Sequence, residues 1–138
     1  MTALRALGRL ALVLLWVLWG VWKVHTGFAR LPAAQRQALL RLWSQRMLSA
    51  LGVRLRCTGA DAAPGPLLWV ANHLSWLDIL VMNAVQPARF VSKADVKHWP
   101  LVGALVEGAG TLFIERESKR DALRVVHQAA AALQAGDC

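Results

Sequence analysis

The segment Asn72-His73-Leu74-Ser75-Trp76-Leu77-Asp78 sets a histidine five positions ahead of a carboxylate. It follows the apolar run Leu67 to Ala71 and precedes Ile79-Leu80-Val81-Met82. The imidazole therefore stands where a buried strand gives way to a helix N-terminus, which is where α/β proteins place their sites. A carboxylate on one ring nitrogen fixes the tautomer and stabilises the imidazolium, leaving the other nitrogen to take a proton. That is a general-base pair for activating a hydroxyl. The same residues admit a conformational reading. Ser75-x-x-Asp78 is also a capping box, in which both side chains serve the start of the helix and His73 is a turn residue. Spacing alone leaves both readings open.

The elements that position this segment follow from period and punctuation. Val53, Leu55 and Cys57 alternate with Arg54, Arg56 and Thr58, the period of a half-buried strand. Asp61 to Pro66 is a turn cluster, and Leu67 to Ala71 is a continuous apolar strand of the kind covered on both faces. Ser75 caps a helix predicted to run to about Ala84. A short strand at Arg89–Ser92, an apolar helix at Pro100–Gly108 and a strand at Thr111–Ile114 come next. Ser118 caps a last helix with Ala122, Val125, Val126, Ala129 and Leu133 on one face and Gly136 as its stop. Strands alternating with helices predict an α/β fold, a mostly parallel sheet with flanking helices. The chain ends two residues beyond Gly136, where such a pattern enters its next strand. The C-terminal part of the domain is therefore expected to be missing.

Charge is distributed unevenly. Residues 1–60 hold nine Lys and Arg and no acid, whereas the remainder holds seven Lys and Arg against eight acids. A basic front end points to an anionic surface, either nucleic acid or a phospholipid leaflet. The uncharged apolar run from Leu10 to Trp22, between Arg9 and Lys23, favours the leaflet. At 13 residues the run is short for a spanning helix, and counting from Ala3 lengthens it only if Arg5 and Arg9 snorkel. No small-x-small cleavage site follows it, which argues against a removed signal peptide. Trp16, Trp19 and Trp22 recur every three residues on one helical face, suited to the headgroup level. Pro32 at a first helical position opens a second, basic amphipathic helix. Its apolar face carries Leu39, Leu40, Trp43, Met47, Ala50 and Leu51, with Arg41 and Gln45 pointing away. The predicted organisation is a membrane-anchoring helical hairpin over residues 1–51 and an α/β domain over 52–138.

With the elements in place, the motifs resemble those of the glycerolipid acyltransferases, specifically the 1-acylglycerol-3-phosphate acyltransferase (PlsC-like) family. Asn72 to Asp78 is similar to the family's N-H-x-S-x-x-D motif, and Ser92-Lys93-Ala94-Asp95 with Pro100 and Gly103 resembles its K-x-E-L…P…G stretch. Asp95 stands where Glu is commoner. Gly110-Thr111-Leu112-Phe113-Ile114-Glu115-Arg116 resembles G-x-I-F-I-x-R. The resemblance implies His73 as the base, Asp78 as its orienting partner and direct attack of an acceptor hydroxyl on an acyl thioester. It places Asn72, Ser75, Lys93, Gly110 and Arg116 on the substrate side. Arg116 is then the phosphate contact, suited by its guanidinium fork. Read from residue types alone, Arg116 between Glu115 and Glu117 is a surface ion pair and Lys93 a solvated strand-end lysine. The family's F-P-E-G-T motif and its later fourth motif are absent, and Leu133 to Cys138 looks like the lead-in to the third.

The resemblance further implies acyl-CoA or acyl carrier protein as donor and a lysophospholipid as acceptor, with no cofactor and no metal. The acceptor it favours is 1-acylglycerol-3-phosphate, giving phosphatidic acid; a lyso-ornithine lipid is the other. The implied location is the cytoplasmic face of the inner or plasma membrane, through a monotopic or single N-terminal span. The contrasting non-enzymatic reading is a Trp-rich lipid-binding module in which His73 and Asp78 are structural. Nucleic-acid binding is disfavoured by the apolar run. At 57% hydrophobic and 17% charged residues, 138 in all, the chain is too apolar for disorder and sized for one domain. Cys57 and Cys138 alone exclude a disulfide framework or a cysteine-based zinc site and fit a reducing compartment.

Overall fold

The computed structural model of the chain describes residues 3–59, 69, 71–72, 74–115 and 119–134. These fall into two units, one formed by residues 1–59 with 74–87 and the other by 60–73 with 88–138.

The first unit holds three helices. Helix α1, Ala3–His25, is continuous over 23 residues, so Arg5 and Arg9 lie within it and not beside it. At 1.5 Å per residue it is about 35 Å long, and by length and composition it suffices to cross a membrane. Leu4, Leu7, Leu10, Leu14, Leu15 and Leu18 are exposed. Helix α2, Ala33–Leu51, begins one residue later than expected. Pro32 is its cap, and the Pro32 carbonyl accepts from the amides of Gln35 and Arg36, each at 3.0 Å. Gly52 ends α2 in the left-handed region at φ 76°, with the Val53 amide donating to the Leu48 carbonyl at 2.9 Å. A Cβ on Gly52 would lie 2.5 Å from the Arg9 guanidinium, so the cation sits on the carbonyl end of α2, where the helix dipole favours it.

Helix α3, Trp76–Val85, packs on α2. Met47 and Leu48 of α2 and Leu80 and Ala84 of α3 form the buried core, with Val13, Trp16 and Val17 of α1 against it. The Trp43 indole N–H donates to the Trp16 carbonyl at 2.9 Å and ties α1 to α2. The tryptophan stripe is consequently divided: Trp16 turns inward, and Trp22 is exposed beneath the Lys23 ammonium, 4.9 Å from its ring centroid. The expected solvated face of α2 also differs. The Arg41 guanidinium donates to the Val85 carbonyl, and the Gln45 amide donates to the Ala84 carbonyl at 3.0 Å. Both side chains supply partners to the last carbonyls of α3, which have none within their own helix. Helix α2 thus has packed neighbours on two sides, α1 and α3.

In the second unit, β1 (Val91–Lys93) and β2 (Leu112–Ile114) pair in parallel with Lys93 opposite Ile114. Among the described residues this is the whole sheet, so the chain is mostly helical where an α/β domain with a larger sheet was expected. Residues 53–58 form no strand, and Leu55 is exposed. Their alternation has no neighbouring strand among the described residues to satisfy its ladder groups, and an unpaired strand is not stable. Most of the expected strand Leu67–Ala71 lies outside the described residues.

A 3₁₀ segment at Ala94–His98, which the periodicity does not predict, leads through a tight turn at Leu101 (φ 62°) into helix α4, Val102–Gly108. The Val102 amide donates to the Pro100 carbonyl across that turn at 2.6 Å, so α4 starts after Pro100 and not on it. Helix α5, Lys119–Gln134, packs against β2. Val125 is buried, but Val126 is 62% exposed, because consecutive helical residues are about 100° apart and cannot share one narrow face. Ser118, Gly136 and the Ala122 side chain lie outside the described residues.

Candidate active site

Ser75 is the N-cap of α3, in extended conformation at φ −155°. Its Oγ accepts from the Leu77 amide at 3.2 Å. Asp78 reaches back from the first turn, and its Oδ2 accepts from the amides of Leu74 at 2.7 Å and Ser75 at 2.8 Å. The capping box read from Ser75-x-x-Asp78 is therefore formed. The carboxylate also sits at the positive end of the helix dipole. Two amide donors on one oxygen fix where the carboxylate points: back over the turn, onto the amide of the residue that follows His73. His73 itself lies outside the described residues. Asn72 and Leu74 are exposed, Leu74 at 92%.

Lys93 closes β1, exposed, and its parallel register sets it beside Ile114, two residues before Arg116. Both strands therefore end at the same sheet edge, the carboxyl edge where parallel sheets carry ligands. Arg116 lies outside the described residues. Gly110 has a conformational task. Its φ of +81° is the left-handed region, and it stops α4 through its own amide, bonded to the Glu107 carbonyl at 3.0 Å, and that of Thr111, bonded to the Val106 carbonyl at 3.1 Å. Gly103 has a steric one: a Cβ there would fall 2.1 Å from the Lys97 carbonyl oxygen.

Asp121 and Arg124 are site-flanking residues that sequence reasoning missed. Asp121 Oδ2 accepts from the Glu115 amide at 2.8 Å, and Oδ1 accepts from Arg124 Nε at 2.7 Å. The Glu115 amide, and then Arg124, hold the Asp121 carboxyl below the usual carboxylate range. An acid and a base at i and i+3 in the first two turns of the helix after Arg116 is the signal that could have found them.

Comparison with known proteins bears on what these elements serve. An acyltransferase family profile matches residues 54–138, which include both strands and every motif above. The chain is 50% identical over 93 residues to a lyso-ornithine lipid O-acyltransferase of Pseudomonas aeruginosa, covering 64% of this chain and 36% of that protein. It is 37% identical over 121 residues to a 1-acyl-sn-glycerol-3-phosphate acyltransferase of Neisseria meningitidis serogroup B, covering 87% of this chain and 46% of that one. A lyso-ornithine lipid O-acyltransferase of Rhizobium meliloti is 45% identical over 85 residues, 62% of this chain and 29% of that protein. The chain thus spans less than half the length of each of these relatives. No solved structure matches it. With the profile match running through the His73–Asp78 segment and both strands to the last residue, the chain belongs to the acyltransferase family of the PlsC type.

Proposed function

We propose that the protein transfers an acyl group from acyl-CoA or acyl carrier protein to the free hydroxyl of a lysophospholipid, with 1-acylglycerol-3-phosphate as acceptor and phosphatidic acid as product. The observation that carries the reading is the Asp78 carboxylate, held by the amides of Leu74 and Ser75 over the turn that adjoins His73. Capping and catalysis are compatible roles, since an ionised carboxylate has about four acceptor sites on its two oxygens. In the proposed step His73 takes the acceptor hydroxyl proton as the oxygen attacks the thioester carbonyl. Collapse of the tetrahedral intermediate breaks the C–S bond, and the imidazolium returns its proton to the departing thiolate. Asp78 orients the imidazole and balances its transient charge. Arg116 receives the acceptor phosphate, with Lys93 as a second contact, and Asn72, Ser75 and Gly110 are assigned to the substrate side.

A second acceptor, a lyso-ornithine lipid, is favoured by the names of the relatives at 50% and 45% identity. Acyl-transfer assays of the intact protein with both acceptors decide between them. His73→Ala is expected to abolish transfer, and turnover within about tenfold of the parent would refute the dyad, since general-base catalysis supplies about 10²–10⁴-fold. Arg116→Ala is expected to raise KM for the phosphate-bearing acceptor more than for lyso-ornithine lipid; equal effects would favour the latter acceptor.

The exposed leucines of α1 and its Trp22–Lys23 end support seating in a phospholipid membrane, with the basic residues of the front end on the cytoplasmic side. That side also holds the soluble acyl donors.

A further inference from the structure

Glu115 lies one residue beyond the last register pair of the sheet, Lys93 with Ile114. Among the described residues no strand partner meets its amide, which must be satisfied by another group. Two side chains of α5 meet this strand end. Asp121 Oδ2 accepts from the Glu115 amide at 2.8 Å, and Arg124 Nη2 donates to the Phe113 carbonyl at 3.2 Å. The two are bonded to each other, with Arg124 Nε 2.7 Å from Asp121 Oδ1, and Arg124 Nη1 donates onward to Gln128 Oε1 at 3.2 Å. One carboxylate and one guanidinium thus grip the backbone on both sides of Ile114, immediately before Arg116.

We propose that Asp121 and Arg124 are positioning residues that fix the end of β2 at Phe113 and Glu115, ahead of Arg116 in the chain, and so contribute to acceptor selectivity. This rests on the reading of Arg116 as the phosphate contact. A guanidinium fork recognises phosphate through paired, directional bonds, and a displacement of about 1 Å costs up to about a hundredfold in rate. The pair is a poor candidate for a purely stabilising role. Arg124 is half-exposed and Asp121 largely covered, and a part-exposed ion pair of this kind contributes modestly to stability. Its bonds go instead to two specific backbone groups of the strand end.

The test is steady-state kinetics of the intact protein with 1-acylglycerol-3-phosphate and with lyso-ornithine lipid, comparing Arg116→Ala, Asp121→Ala, Asp121→Asn, Arg124→Lys and the double variant Arg116→Ala/Asp121→Ala. Asp121→Ala is expected to raise KM for the phosphate-bearing acceptor about tenfold, with a smaller effect on kcat and on the other acceptor. Asp121→Asn keeps an acceptor for the Glu115 amide and is expected to recover part of the loss. In the Arg116→Ala background, Asp121→Ala is expected to add less than about twofold, because a residue acting through Arg116 has nothing left to position. If Arg116→Ala raises KM but Asp121→Ala does not, or if the two losses multiply, the positioning role is overturned while the phosphate contact stands. If Arg116→Ala itself leaves KM unchanged, the phosphate contact fails and the positioning role falls with it. Should Asp121→Ala not fold, Asp121→Asn and Arg124→Lys carry the same comparison against Arg116→Ala.

Discussion

Gly103→Ala and Gly8→Ala are the same chemical change in two helices, and the structure predicts opposite signs. Gly8 lies inside α1 with nothing within 4 Å of where a Cβ would stand. Alanine there removes backbone freedom from the unfolded chain and is expected to stabilise by about 0.5–1 kcal/mol. Gly103 lies in the first turns of α4, and its Cβ would fall 2.1 Å from the Lys97 carbonyl oxygen and 2.8 Å from the Lys97 carbonyl carbon. The first distance is about 1 Å inside the closest approach such atoms make. Both obstructing atoms are backbone, so no side chain can swing aside, and α4 must move off the 3₁₀ segment before it. Overpacking of this kind costs up to about 3 kcal/mol, offset by about 1 kcal/mol of helix propensity, for a net loss of about 2 kcal/mol. The readout is hydrogen exchange of the Leu105 and Ala109 amides, which are bonded to the carbonyls of Leu101 and Leu105. A loss of that size opens them about 30-fold more often. Protection at those amides that is unchanged or higher in Gly103→Ala refutes the steric account, and the glycine in the P…G stretch would then need another explanation.

Other perturbations follow from the same geometry. Ser75→Ala removes the Oγ acceptor from the Leu77 amide and is expected to cost about 1 kcal/mol in urea unfolding while leaving acyl transfer measurable, whereas loss of all turnover would assign Ser75 to the chemistry. Gln45→Ala leaves the Ala84 carbonyl without its donor and is expected to cost about 1 kcal/mol, with exchange rising at the C-terminal end of α3 before the rest of the helix. Because the Asp121 carboxyl is held below its ordinary range, the grip on Glu115 is fully present above that range and is lost only as pH falls through the lowered folded value. The Asp121 side-chain carboxyl carbon resonance should titrate below the usual carboxylate range; a midpoint within or above that range would contradict the assignment.

Much of this chain is legible in local rules. Ser75 and Asp78 are three apart at the head of an apolar run, and a capping box is satisfied within four residues, so its geometry follows from sequence alone. The apolar run inside α1 and the second helix opened near Pro32 are local in the same sense. The motifs around His73, Lys93 and Arg116 resemble those of the family whose profile matches residues 54–138.

Tertiary structure decided what depends on neighbours distant in sequence. Arg41 and Gln45 read as a solvated face, yet they serve carbonyls at Val85 and Ala84, 44 and 39 residues away. The alternation over residues 53–58 has the period of a strand, but a strand exists only where another completes its ladder. The need for glycine at position 103 is visible only with the Lys97 carbonyl placed against it. Asp121 and Arg124 have the spacing of an ordinary helix pair, and it is the packing of α5 on β2 that brings them to the backbone before Arg116. Capping, turns and amphipathic period are written in residue types over one or two turns of chain. Which polar group answers which distant backbone atom is set by packing, and only the folded chain contains it.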